Sequence, residues 1–217
     1  VVLTVPAGVL LAIPALRTRG VNLAVLTLGL SVVISELLLT NSALTGGYFG
    51  TEIESPHVFG INIDGFVHPQ RYGIFVFCFL VLASLAVANL RRGASGRRMI
   101  AVRGNERAAA SLGINVYVTK VSAFAFAAAL ATLGGALLAM SQKTVGFAGF
   151  NALGSISIVV YAVLGGVGYV LGALIAGQFI PGGIGNQIVQ AFGASDSLLN
   201  LIAGVLLLFV LLANPNG

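Results

Sequence analysis

The chain has 217 residues, of which 58% are hydrophobic and only 8% are charged, and its formal net charge is +5. A soluble domain carries about 25% charged residues, so this chain has too few charges to cover a water-facing exterior. The strands of an outer-membrane barrel would alternate in hydrophobicity, whereas the apolar runs here are continuous. We therefore predict an all-α fold, a polytopic transmembrane helical bundle of about six or seven spans.

Six apolar segments follow one another along the chain, and residues 1–217 are predicted to form a single transmembrane domain. The first segment begins without a Met or a basic leader, so we expect a chain that is truncated at both ends. The fifth segment is interrupted by glycines and predicts either two short helices or one broken helix. The predicted spans are 1–16, 21–40, 72–90, 121–141, 155–180 and 198–213.

Small residues recur at four-residue spacing in the last part of the chain. Gly168 is followed by Gly172, and Ala173 is followed by Gly177. Such spacing lets helices approach closely in lipid, where packing replaces the hydrophobic drive, so we predict tight helix contacts there.

The positions of Lys and Arg predict the topology, because cytoplasmic loops of membrane proteins are enriched in both. Seven of the eleven basic residues lie in the segment 91–120, and Arg17 and Arg19 lie two spans earlier. Both places are therefore predicted to be cytoplasmic. The segments predicted to be external are 41–71, 142–154 and the polar connector 181–197. The basic residues stand at span ends and not in a stripe with aromatic residues, which argues against nucleic acid as a partner.

The segment 91–120 also has the signals of a short helix from Asn105 to Leu112. Asn105 suits the N-cap, because its side chain can accept a hydrogen bond from an unpaired backbone amide. Glu106 lies in the first turn, where the helix dipole favours a negative charge, and Gly113 suits the end of the helix. The alternative interpretation is a solvated loop whose arginines serve only the topology.

A second group of candidates lies in or next to the spans, where it would line a translocation pathway. Glu36 is the only acidic residue inside an apolar span, and intramembrane carboxylates are costly and often functional. Glycine clusters can break a helix and expose backbone groups to a substrate, although a simple turn is an equally good interpretation. The pathway candidates are Glu36, Gly46, Gly47, Gly165, Gly166 and Gly168. His57 and His68 lack further ligands at metal-site spacing, so neither a metal nor a cofactor is predicted.

The run from Gly96 to Leu137 reads GRRMIAVRGNERAAASLGINVYVTKVSAFAFAAALATLGGAL. It resembles the signature of the permease subunits of branched-chain amino acid ABC transporters, most specifically from Arg103 to Asn115. Gly104 departs from the family pattern, which has an acidic residue there. The likeness extends over residues 16–213. The matching positions are Gly96, Arg97, Ala101, Val102, Arg103, Asn105, Glu106, Ala109, Leu112, Gly113, Ile114, Asn115, Lys120, Ala123 and Phe124.

This resemblance implies a transmembrane permease subunit of an ATP-driven ABC importer that moves branched-chain amino acids across the bacterial inner (plasma) membrane. The implied partners are cytoplasmic ATP-binding subunits, a second permease subunit, an extracytoplasmic substrate-binding protein and membrane lipid. The segment 91–120 would be the cytoplasmic coupling loop, which docks into a groove on the ATPase. The residues implied in that contact are Arg103, Asn105, Glu106, Ala109 and Gly113.

The sequence has no G-x-x-x-x-G-K-[ST] phosphate-binding loop, so we expect a transport subunit and not an enzyme with its own ATPase site. The same machinery with urea, short amides or a sugar as cargo stays open, because no residue pattern reports on selectivity. A stand-alone secondary transporter or channel also stays open, although it would need buried charge pairs and Glu36 is the only intramembrane acid. An intramembrane enzyme would need clustered His, Asp or Glu residues, which the spans do not supply.

Overall fold

The computed structural model describes residues 21–41, 50–52, 57–58, 61–65, 67–146, 152–166, 169–180, 183–191, 193 and 195–213. The predicted first span, 1–16, lies outside these residues, and so do Gly46, Gly47 and Gly168. Contacts divide the chain into two compact units, Val1–Ala148 and Gly149–Gly217.

The first described helix, α1, covers Val21–Ile34 and continues as a π-helical turn, Ser35–Leu39. Thr40 closes this turn, because its backbone amide and its Oγ1 both donate to the carbonyl of Ser35, at 3.0 Å and 2.9 Å. The predicted span 21–40 is therefore helical, with a change of helix type towards its C-terminal end.

The first unit continues with four more described helices, of which the first and the last match predicted spans. They are α2 (Pro69–Arg92), α3 (Ala94–Gly104), α4 (Glu106–Ser111) and α5 (Val116–Met140). With 24 and 25 residues, α2 and α5 are long enough to cross a hydrocarbon core of about 30 Å. Their most apolar stretches have mean hydropathies of 2.4 and 2.0 and are unburied within the described structure. The predicted spans 72–90 and 121–141 are confirmed as helices.

Among the described residues, four two-residue strands, absent from the all-α prediction, lie in the segments predicted as external loops. They are β1 (Thr51–Glu52), β2 (His57–Val58), β3 (Ile61–Asn62) and β4 (Thr144–Val145), with β1 antiparallel to β4 and β2 antiparallel to β3. Thr51 stands opposite Val145, so the two loop segments meet. Nearby, Tyr72 Oη donates to the carbonyl of Leu137 at 2.6 Å. The start of α2 therefore meets the end of α5, and α3 and α4 lie at the opposite end of these two helices.

The second unit contains α6 (Ala152–Gly165), α7 (Val170–Phe179), α8 (Ile184–Ala191) and α9 (Asp196–Ala213). Helix α6 packs against both α7 and α9. The predicted segment 155–180 is thus two short helices, the first of the two alternatives. The segment 181–197 was predicted only as a polar connector, and it contains α8. Its apolar residues Ile184 and Ile188 do stand one turn apart, but eight residues contain only about two turns of that period.

Candidate functional site

The segment 91–120 folds back sharply at the end of α2. Gly93 alone separates α2 from α3, in an extended conformation with φ −74° and ψ 173°. Gly96 is buried, and a Cβ added there would lie 2.5 Å from the carbonyl oxygen of Leu90. Because that oxygen belongs to the backbone, a side chain at Gly96 would force α3 away from the last turn of α2.

The start of α4 is capped by Asn105, as the sequence predicts. Its backbone is extended, and its Oδ1 accepts hydrogen bonds from the amides of Arg107 at 3.0 Å and Ala108 at 3.1 Å. Two of the amides that a helix leaves unpaired at its N-terminus are thereby satisfied. Glu106 occupies the first turn, as predicted.

The end of α4 is a Schellman motif centred on Gly113. Gly113 has a φ of +78°, which only glycine adopts without strain. Its amide donates to the carbonyl of Ala110 at 3.0 Å, and the amide of Ile114 donates to that of Ala109 at 3.1 Å. This pair of bonds defines the motif and confirms the predicted stop at Gly113.

Two of the five predicted contact residues are turned towards their own chain. Ala109 is only 2% exposed and is buried in the α3–α4–α5 region. Glu106 Oε1 lies 2.7 Å from Lys120 Nζ, and the two side chains are 24% and 21% exposed. Lys120 lies near the start of α5, so this ion pair joins α4 to α5 directly.

The beginning of α5 is itself held by side chains. Asn115 is the N-cap, and its Oδ1 accepts from the amide of Val118 at 3.1 Å. Thr119 is buried, and its Oγ1 donates to the carbonyl of Asn115 at 2.8 Å. Lys120, the partner of Glu106, therefore lies in a first turn of α5 that is stabilised by the hydrogen bonds of Asn115 and Thr119.

The other predicted contact residues face outward. Arg103, Asn105 and Gly113 are exposed, and a cleft of about 420 Å³ is lined by residues 102–107. Leu112, at the end of α4, is 78% exposed. Sequence reasoning placed Leu112 and Lys120 among the family matches but not in the contact set. A bulky apolar residue in a polar loop was the available signal for Leu112.

Among the pathway candidates, Glu36 lies in the π-helical turn and is exposed. Gly165 is the last residue of α6, and Gly166 follows it with a φ of +95°. The structure brings Gly165 and Gly166 together with the start of α7, whereas Glu36 belongs to the first unit.

Helices α6 and α7 touch through glycine. A Cβ added at Gly172 would overlap the carbonyl oxygens of Gly165 and Gly166, and a Cβ at Gly165 would lie 2.9 Å from that of Ala176. The predicted close packing in this region is therefore present, and it joins Gly172 of α7 to Gly165 of α6. The contact between α6 and α7 has room for nothing larger than a hydrogen atom at Gly165 and Gly172.

An apolar cavity of about 200 Å³ lies beside this contact, between α6, α7 and α9. Gly165 forms part of its wall. Tyr161 lines the cavity, and its hydroxyl donates to Asn200 Oδ1 at 3.0 Å. The cavity is lined by Tyr161, Leu164, Gly165, Ile175, Ala176, Phe179, Leu199, Ile202, Ala203 and Leu206.

Comparison with known proteins identifies the class to which these features belong. Residues 1–211 match the family described as the permease component of branched-chain amino acid transport systems. The chain belongs to this family, and it is thus a helical membrane permease component.

Individual relatives agree with this assignment. The high-affinity branched-chain amino acid transport system permease protein LivM of Escherichia coli is 32% identical over 97% of this chain and 53% of its own length. The corresponding protein BraD of Pseudomonas aeruginosa is 29% identical over 88% and 61%. LivH of Escherichia coli is 30% identical over 72% and 49%. The chain thus spans about half the length of these relatives. No solved structure matches it significantly.

Proposed function

We propose that this chain is a transmembrane permease subunit of an ATP-driven ABC importer that translocates branched-chain amino acids. The family and the names of the relatives support both the permease role and the cargo. The observation that carries the coupling role is the 2.7 Å ion pair between Glu106 and Lys120, which joins a capped short helix to a helix of membrane-spanning length.

The proposed assembly contains a second permease subunit, cytoplasmic ATP-binding subunits and an extracytoplasmic substrate-binding protein. The chain would cross the bacterial inner (plasma) membrane several times, with 91–120 on the cytoplasmic side. ATP hydrolysis belongs to the ATP-binding subunits, and this chain supplies the pathway and the element that responds to them. The opposite end, where β1 meets β4, would face the binding protein.

The mechanical step follows from how α4 is held. When the ATP-binding subunits close, they displace α4, and the ion pair together with the buried Ala109 carries the displacement to α5. Helix α5 has 25 residues and reaches across the membrane, so a movement at its cytoplasmic start biases the bundle between two arrangements. Because both ends of α4 are capped, the helix moves as a unit and does not unwind.

We assign the surface that contacts the ATPase to exposed residues of the segment 91–120. Arg103, Asn105 and Gly113 remain proposed contacts, and Arg107 and Leu112 join them because they are exposed beside them. Leu112 is the proposed apolar centre of this surface, since the fully buried core of an interface is more apolar than its rim. Glu106 and Ala109, in contrast, support the contact from inside the chain.

The proposed cargo agrees with the second unit. The cavity beside Gly165 is almost entirely apolar, which suits an aliphatic side chain. The ammonium and carboxylate of an amino acid need polar partners as much as urea, short amides or a sugar do, so the apolar cavity supports only the aliphatic side chain of the cargo. Gly165 and Gly166 are therefore kept as pathway residues, and Glu36, Gly46, Gly47 and Gly168 are pathway proposals on sequence grounds.

The test is ATP-dependent uptake of labelled leucine by proteoliposomes that contain the full-length protein and its partner subunits. We expect uptake of leucine but not of urea or a sugar, and none without ATP. Uptake that proceeds without the ATP-binding subunits would establish the secondary-transporter alternative. Uptake of urea or a sugar in place of leucine would be consistent with an ATP-driven importer and would contradict the proposed cargo.

A pair of variants tests the ATPase contact in the same preparation. Leu112→Asp should lower both uptake and the amount of ATPase that co-purifies, because it places a charge at the proposed apolar centre. Ile100→Asp is the matched control, since Ile100 is also a largely exposed aliphatic residue, on the neighbouring helix α3 (62% exposed against 78% for Leu112). Equal retention of the ATPase by both variants would remove Leu112 from the contact.

A further inference from the structure

Helix α7 is too short to cross a membrane. It has 10 residues, and it is bounded on both sides by extended backbone, at Tyr169 (φ −130°, ψ 142°) and at Ile180 (φ −67°, ψ 147°). At 1.5 Å per residue it is about 15 Å long, which is half of a hydrocarbon core of about 30 Å. One of its two ends must therefore lie deep in the membrane.

The C-terminal end of α7 is tied to the membrane surface through α9. Helix α9 has 18 residues, about 27 Å, and spans nearly the whole core. It begins at Asp196, and a charged residue at a helix start belongs at the water boundary. Only the eight residues of α8 and two four-residue connections separate Asp196 from α7.

Helix α8 has the burial pattern of a helix that lies along the membrane surface. Of its polar residues, Asn186 is buried and its Oδ1 accepts from Gln190 Nε2 at 2.7 Å, whereas Gln187 and Gln190 are exposed. Its apolar residues Ile184 and Ile188, one turn apart, are 67% and 53% exposed. An exposed apolar face beside a membrane span is suited to the boundary between headgroups and acyl chains.

The connection between α7 and α8 is tight, so both lie at the same depth where they meet. The amide of Gly183 donates to the carbonyl of Ile180 at 2.8 Å. A Cβ at Gly183 would overlap the backbone of Gln178, in the last turn of α7. The C-terminal end of α7 is therefore at the surface, and its N-terminal end is the deep one.

We propose that α6 and α7 form a re-entrant hairpin. It enters the membrane from the surface along which α8 lies, and it turns at Gly166 near the middle of the membrane. The glycine contact between Gly165 and Gly172 holds its two arms together. Non-helical backbone at that depth is tolerated only where protein covers it or a water-filled cavity adjoins it. The turn at Gly166 therefore faces the interior of the permease, where a translocation pathway lies, and not the cytoplasm.

This inference rests on the membrane-permease class and not on the cargo, so it is tested by labelling and not by transport. Tyr169 lies in the turn and is 76% exposed within the described residues. Tyr169→Cys is placed in full-length protein from which Cys78 and any cysteine outside these 217 residues have been removed. Inverted membrane vesicles, washed free of ATP-binding subunits, are then treated with a maleimide carrying a bulky polyethylene glycol chain.

The matched control is Ser111→Cys, an exposed position on the cytoplasmic helix α4. We expect the control cysteine to be labelled and Tyr169→Cys to remain unlabelled until the vesicles are dissolved in denaturant. Labelling of Tyr169→Cys to the same extent as the control would place the turn at the cytoplasmic surface and overturn the proposal. If Tyr169→Cys fails to fold, Leu171→Cys, on the first turn of α7, answers the same question.

Discussion

The short helix α4 and the hairpin of α6 and α7 are held in place by opposite means. Both ends of α4 are closed by hydrogen bonds from Asn105 and around Gly113, and an ion pair fixes it to α5. The hairpin uses no polar side chain at its closest contact, where Gly165 and Gly172 bring two backbones together.

The difference fits the solvents proposed for the two elements, water for α4 and lipid for α6 and α7. In water, a helix of only six residues is unstable alone, so α4 depends on caps and on its neighbours. In lipid, apolar side chains gain nothing by meeting one another, and close packing of small residues holds helices together. A proposed lever and a proposed pathway element are thus built from different interactions in one chain.

The largest effect is expected from Gly172→Ala. The added methyl group would overlap backbone oxygens of Gly165 and Gly166, which cannot move aside unless α6 and α7 separate. Overpacking of this kind costs about 1–3 kcal/mol and occasionally more. We therefore expect a clearly lower thermal midpoint of the purified protein in detergent.

Gly177→Ala is the matched control on the same helix. A Cβ added at Gly177 meets no atom within 4 Å in the described part of the chain. Alanine is favoured over glycine in a helix by about 1 kcal/mol, so this variant should be unchanged or slightly more stable. Equal thermal midpoints for Gly172→Ala and Gly177→Ala would show that α6 and α7 do not approach as closely at Gly172 as the structure describes.

The contrast also explains which features were predictable from sequence. The cap at Asn105 and the stop at Gly113 were predicted correctly, because helix ends are set by residues within one turn of them. The glycine break of 155–180 was predicted for the same reason. The partner of Gly172 was not, because a contact across a hairpin depends on how two helices lean together.

Burial on a very short helix was also beyond sequence reasoning. Ala109 was predicted at the ATPase contact, yet it is buried in its own chain. Six helical residues make less than two turns, so nothing in their order tells which side packs and which stays free. The two-residue strands were missed because they are shorter than any alternation that a sequence can display.

A smaller effect is expected from Asn105→Ala. Loss of the N-cap costs about 1 kcal/mol, with a range of about 0.5–2 kcal/mol. The effect should be local, since the side chain of Asn105 bonds to amides in the first turn of α4, and it should appear as faster hydrogen exchange at the amides of Arg107 and Ala108. Asn105→Asp keeps an acceptor oxygen at the cap and should retain slow exchange. Unchanged exchange in Asn105→Ala would mean that packing alone holds the first turn.

The smallest effect on stability, and the most informative one on coupling, is expected from breaking the pair of Glu106 and Lys120. Ion pairs with partly exposed side chains contribute at most about 1 kcal/mol, so Glu106→Lys should fold nearly as well as the parent protein. We expect it nevertheless to transport less leucine per ATP hydrolysed, because α4 and α5 are no longer joined. Lys120→Glu should lower the same ratio.

The charge swap Glu106→Lys with Lys120→Glu separates the two roles open to Glu106. If the carboxylate acts through Lys120, the swap rebuilds the pair and restores much of the ratio. Restoration would be incomplete, since a positive charge in the first turn of α4 opposes the helix dipole by about 0.3–1 kcal/mol. If the swap is as impaired as Glu106→Lys alone, Glu106 acts on the ATPase directly, and the contact that the sequence predicted is the correct one.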